Sequence, residues 1–138
     1  MLFDTRSFPS TALLLIRVFT GFLMLYLHGW SKLIAGTDSW ERLGSGLSSS
    51  IGLDILSIPL GFMASFSESI GAILILLGFY TRPAAFLLAF TMLVASFKHI
   101  PDGLKGMEKP LLFLCLCICL LLMGAGKYSL DAYFKKNK

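Results

Sequence analysis

Four stretches of the chain, about 11–30, 59–80, 83–99 and 110–126, are apolar with few interruptions rather than showing the two-sided pattern of a surface helix. A helix that is apolar all round belongs in a large core or in lipid, and about 20 such residues cross the hydrocarbon layer of a bilayer. The pattern therefore predicts four membrane-spanning helices. Pro59, Pro83 and Pro110 stand at the predicted starts of the last three, where a missing N–H would be unpaired anyway. Gly124 and Gly126 close the fourth, with Lys127 and Tyr128 marking the membrane interface. The third is short, which predicts a near-perpendicular helix or one shielded by its neighbours.

Between the first two spans lies a long connection, 36–58. Asp38 precedes Glu41 by three residues in the manner of a capping box, and Trp40, Leu43, Leu47 and Ile51 recur at near-helical spacing. That predicts a short interfacial helix lying on the membrane with Trp40 at headgroup depth. A plain solvated loop is the alternative, because Gly44, Gly46 and the run Ser48, Ser49, Ser50 weaken any helix.

Composition turns this pattern into a class. At 138 residues and 56% hydrophobic, with a mean hydropathy of +0.78, the chain exceeds the roughly 45–50% apolar content of a soluble domain. The expectation is a single all-α domain over 1–138, an integral membrane four-helix transmembrane bundle with no room for a soluble catalytic domain. The first run leads into His28, Gly29 and Trp30 rather than a small-residue cleavage site, so it is read as a span preceded by the short flank Met1–Ser10.

The net charge of +4 does not indicate a nucleic-acid partner. Such a protein gathers its basic residues on one wet surface, whereas these mark segment ends, where they meet lipid headgroups. Arg6, Arg82, Lys127, Lys135, Lys136 and Lys138 fall on the side of the termini, against Lys32, Arg42, Lys98, Lys105 and Lys109 opposite. The basic tail beside the fourth span favours termini in the cytoplasm.

Arg17 and Glu68 lie inside predicted spans, where a charge costs on the order of 2.5–3.5 kcal/mol even on a lenient scale. Counted from the ends of antiparallel spans, their depths differ by about 7 Å, which predicts a direct or water-bridged pair inside the bundle. Gly21, Gly71 and Gly78 are the candidate points of close helix approach. The alternative has Arg17 reaching up to the membrane surface and a protonated Glu68 bonded to a backbone carbonyl.

His28 follows Arg17 by eleven residues, which places both on one face. Lys32 lies near the same stripe, and Lys98 and His99 end the third span on the same side of the membrane. Together they outline a mouth able to hydrogen-bond a quinone carbonyl or a small anion; interfacial residues facing headgroups are the alternative. The spacing of two His and one Glu over three helices does not make a metal site. Cys115, Cys117 and Cys119 form neither a C-x-x-C redox motif nor a zinc arrangement, and read as small packing residues.

Taken together, Arg17 with Gly21, His28-Gly29-x-x-Lys32, Glu68-x-x-Gly71, Gly78-x-x-Thr81-Arg82, Met92-x-x-Ala95-x-x-x-His99 and Gly124-x-Gly126-Lys127-Tyr128-Ser129-Leu130-Asp131 resemble the DoxX family. The resemblance implies a four-helix protein of the bacterial cytoplasmic membrane. It also implies kinship with the membrane subunit of thiosulfate:quinone oxidoreductase and with relatives linked to oxidative stress, thiol stress and quinone resistance. The cysteine-rich fourth span is not part of that pattern.

Three functions follow as expectations. One is a quinone-interacting redox subunit using Arg17, Glu68, His28, His99 or Lys32, with no intrinsic haem, flavin or iron–sulfur motif and electrons from a soluble partner protein or a diffusible reductant. The second is a non-catalytic anchor for soluble enzymes. The third is a small transporter or lipid-binding protein working as a homo-oligomer.

Overall fold

A computed structural model describes residues 9–137. Arg6, Lys138 and most of the N-terminal flank lie outside them. Among the described residues the chain is helical, with no strand. Six helices follow in order: α1 (Pro9–Ile34), α2 (Thr37–Ser48), α3 (Asp54–Leu77), α4 (Thr81–Lys98), α5 (Ile100–Met123) and α6 (Leu130–Lys136).

Three of these, α1, α3 and α5, are long and apolar enough to cross a membrane. The third predicted span corresponds to α4, whose 18 residues rise only about 27 Å and carry Arg82 and Lys98 near their two ends. On its inner face α4 buries Ala84, Ala85, Leu88, Ala89 and Met92. These meet Cys117 and Leu120 of α5 and Ala72 and Ile75 of α3 in one core. Ala72, Ala84, Ala85, Ala89 and Cys117 are small enough to let the helices approach closely, and in lipid helices gain by close van der Waals packing rather than by escape from water.

Glycines set how α1 lies on α3. A Cβ at Gly21 would overlap Ala72 and Leu76, and one at Gly29 would overlap the backbone of Glu68 and Ser69. Both helices also carry a π-helical turn, Leu25–Gly29 in α1 and Ser67–Gly71 in α3, and the two turns meet. Such bulges widen a helix locally and re-aim its side chains, often at functional sites. Gly71 is different: a Cβ there would find nothing nearer than 3.9 Å, so it is not a point of close approach.

The long connection contains a full helix, and it is packed rather than laid alone on the surface. Gly44 of α2 and Gly61 of α3 each leave room for the other helix's backbone, at Ser57 and Trp40 respectively. Trp40 stacks edge-on against Phe62 with centroids 5.1 Å apart, and its indole Nε1 donates to Lys32 O at 3.0 Å, pairing a carbonyl at the end of α1. The glycines that weaken an isolated helix here enable the contact that stabilises it. The expected capping box is not formed: Gly36, at φ 81°, precedes the helix, and Asp38 lies within its first turn.

A second correction concerns Pro110, which lies inside α5 rather than at its start; regular helix begins at Gly103. The proline removes one N–H directed at Gly106, near the helix start, and the rest of the ladder continues. At the other end of the molecule, the segment after α5 closes over the α3–α4 turn. Asp131 accepts hydrogen bonds from Tyr80 N at 2.8 Å and Thr81 N at 3.0 Å, and its own N–H donates to Gly78 O at 2.9 Å. A carboxylate from 50 residues away thus caps α4 and holds Tyr80 in its left-handed conformation, φ 47°.

Replacing Gly61 by Val should destabilise the protein by about 1–3 kcal/mol, the usual cost of overpacking, because the added carbons meet the backbone at Trp40. The unfolding midpoint in mild detergent checks this; an unchanged midpoint would mean that α2 does not pack as described.

Candidate functional site

The polar residues within the helices divide between two ends of the molecule. Arg17 is fully buried and donates to Ala125 O at 2.9 Å and Tyr128 O at 2.6 Å. It also fills the space beside Gly78, which has φ 70° and no room for a Cβ. Its role is to bind the chain that leaves α5, satisfying carbonyls that no helix can pair.

Glu68 lies at the other end, in the π turn of α3, and pairs with Lys32 of α1. The expected Arg17–Glu68 pair is therefore not formed. Gly29 is level with Glu68, and Gly78 is level with Arg17. The twelve residues from Arg17 to Gly29 separate the two charges by about 18 Å along α1, far beyond the reach of a guanidinium. The shorter estimate assumed that both helices end at the same depth, whereas α3 ends at Leu77, opposite the first turns of α1.

Around the Lys32–Glu68 pair the structure opens a cavity of about 560 Å³. Its walls come from Met24, His28 and Lys32 of α1, Glu68 of α3, Met92 and Ala95 of α4, His99 just after α4, and Lys105, Lys109 and Phe113 of α5. His28 sits in the π turn of α1 and meets Phe113 edge-on, centroids 6.4 Å apart. His99 shares a hydrogen bond of 2.7 Å between its Nδ1 and Asp102 Oδ2. That contact orients the imidazole and couples its tautomer to the carboxylate.

Of the five candidate site residues, His28, Lys32, Glu68 and His99 line this cavity, and Arg17 stands apart. A second cavity of about 250 Å³ lies against the same four-residue seam of Lys32, Glu68, Ala95 and His99, with walls from α2, α3 and α4. Lys98 lines this second cavity rather than the first. The contributions of Asp102, Lys105 and Lys109 were missed. Their one sequence signal was the i, i+4 spacing of the two lysines, which puts both on one helix face. The second cavity carried no signal, since it depends on α2 docking on α3.

Cys117 is buried, Cys115 exposed and Cys119 between the two, the alternation a helix imposes on this spacing. Among the described residues no group of three or more His, Cys, Asp or Glu side chains is arranged to hold a metal ion.

Apolar helices of spanning length, a half-buried ion pair and a cavity with a polar wall and a hydrocarbon wall define a helical membrane protein with an internal polar site. A sequence model of the DoxX family matches residues 12–99, which include four of the cavity's key residues, His28, Lys32, Glu68 and His99, and the chain belongs to that family. It is also 32% identical over 122 residues to a Haemophilus influenzae protein named only as uncharacterized, covering 82% of this chain and 84% of that one. No solved structure matches the chain.

Removing one member of a buried ion pair leaves the other unpaired. Lys32→Met alone should therefore destabilise the protein by about 3 kcal/mol, the low end of the range for buried pairs, because Lys32 remains partly exposed. The double variant Lys32→Met/Glu68→Leu should recover most of that loss. Unfolding measured across the double-mutant cycle checks the pair; additive effects would show that the two side chains do not interact.

Proposed function

We propose that this protein is a quinone-interacting membrane subunit of an oxidoreductase system tied to thiol, sulfur or oxidative-stress chemistry, with the 560 Å³ cavity as its quinone site. The observation that carries the reading is the division of the cavity wall. His28, His99 and the Lys32–Glu68 pair supply polar groups, while Met24, Met92, Ala95 and Phe113 supply an apolar bed. A planar, largely apolar ring with two carbonyl oxygens matches that division, and the volume falls within the roughly 300–1,000 Å³ typical of small-molecule sites.

In this reading α4 is the fourth span, shielded by α3 and α5 and closed at each end by a basic residue, and the bundle lies in the bacterial cytoplasmic membrane with its termini in the cytoplasm. Lys32 and the imidazoles hydrogen-bond the ring oxygens. Reduction of a quinone takes two electrons and two protons. The electrons come from a soluble redox partner, and the histidines and Glu68 are the groups placed to pass protons from the mouth, where Asp102 and Lys105 stand. An ionisable pair retained within a membrane helix bundle supports a ligand or proton role over a packing role alone.

Purification in mild detergent followed by lipid extraction tests the proposal. Wild-type protein should carry quinone, and Glu68→Gln and His28→Leu should each lose most of it while remaining folded. Protein free of quinone, or folded variants that retain it in full, would rule the site out. A stoichiometric soluble partner without quinone would instead favour an anchoring role.

A further inference from the structure

The smaller cavity, at about 250 Å³, falls below the usual size of an independent small-molecule site. Its position makes it an extension of the larger one. Both are bounded by Lys32, Glu68, Ala95 and His99, and of these Ala95 alone has neither a charge nor a long side chain. Away from that seam its walls are mostly apolar, with Leu43 and Leu47 from α2, Leu60 and Met63 from α3, and Phe90 and Val94 from α4; Thr91 and Lys98 are the polar exceptions. Met63 is 46% and Phe90 50% exposed, so this cavity reaches the lipid-facing surface between α3 and α4. The larger cavity instead reaches the charged mouth formed by Asp102, Lys105 and Lys109.

We infer that the smaller cavity is the tail subsite of the ligand proposed above, taking the hydrocarbon chain of a quinone whose ring occupies the larger cavity. The inference rests on that proposal and adds which part of the ligand goes where. The chain crosses the seam over Ala95, lies beneath α2, and leaves to lipid between Met63 and Phe90. A ring drawn in from lipid along this path arrives beside the ion pair without crossing the aqueous mouth. Because moving a hydrocarbon chain from lipid to an apolar protein wall gains little in itself, the subsite contributes orientation and entry more than affinity. The docking of α2 on α3 through Gly44 and Gly61 thereby acquires a use, since α2 forms the roof.

A benzoquinone bearing a decyl chain with a terminal diazirine, irradiated with the wild-type protein in lipid nanodiscs, tests this. Labelling should fall on α2 and α4, around Leu43, Leu47, Phe90 and Val94, and a tailless benzoquinone in excess should abolish it. Val94→Trp, which fills the smaller cavity from a position that does not border the larger one, should cut labelling around Leu43, Leu47 and Phe90 at least about tenfold, a modest free-energy difference, while tailless quinone still binds. Displaceable labelling confined to the outer faces of α1 or α5, or labelling around Leu43, Leu47 and Phe90 that Val94→Trp leaves unchanged, would overturn the tail subsite and spare the ring site. No displaceable labelling, with no binding of the tailless quinone, would overturn both.

Discussion

Gly21 and Gly29 bring α1 against the backbone of α3, and the remaining geometry follows from the register that this contact sets. With Gly29 opposite Glu68 and Gly78 opposite Arg17, the two buried charges stand at different ends of the bundle. Each must then find its own partner, because a charge in this setting cannot be left to water. Glu68 takes Lys32. Arg17 takes the carbonyls of the segment that follows α5, and so ties the end of the chain to the α3–α4 turn.

The two solutions have different consequences. Arg17 is enclosed, and its contacts stabilise a chain reversal at the cost of accessibility. The Lys32–Glu68 pair borders open volume on both sides. Buried ion pairs are rarely the most stabilising filling for a site, since an apolar pair of similar volume does as well. Retaining one between two cavities is understandable if the groups meet a ligand. The paired π turns serve the same end, because they bring Glu68 and His28 into elements whose side chains are turned from the ordinary helical direction.

Much of this architecture was legible in the chain because lipid imposes a simple rule: long apolar runs mark helices, and polar residues within them need partners. The convergence of His28, Lys32 and His99 at one mouth followed from residue counting alone. What counting missed was relative depth. The Arg17–Glu68 pairing assumed that neighbouring helices end together, an assumption that the early end of α3 defeats. Helix propensity, which marks Gly44 and Gly46 as weak points, describes an isolated helix, whereas in α2 packing decides, with Gly44 admitting the backbone of α3. Pro110 likewise has the look of a helix start in the sequence, yet it costs only one hydrogen bond inside α5. In each case a local rule was overruled by a contact between residues distant in sequence.

If Glu68, held by Lys32, faces a quinone within the larger cavity, reducing that quinone perturbs its carboxyl group. Infrared difference spectra of purified protein supplied with quinone in excess, scaled to the quinone carbonyl bands, should then show a carboxyl signal on reduction that Glu68→Gln lacks. Equal carboxyl signals in wild type and Glu68→Gln at equal quinone occupancy would mean that Glu68 does not face the quinone.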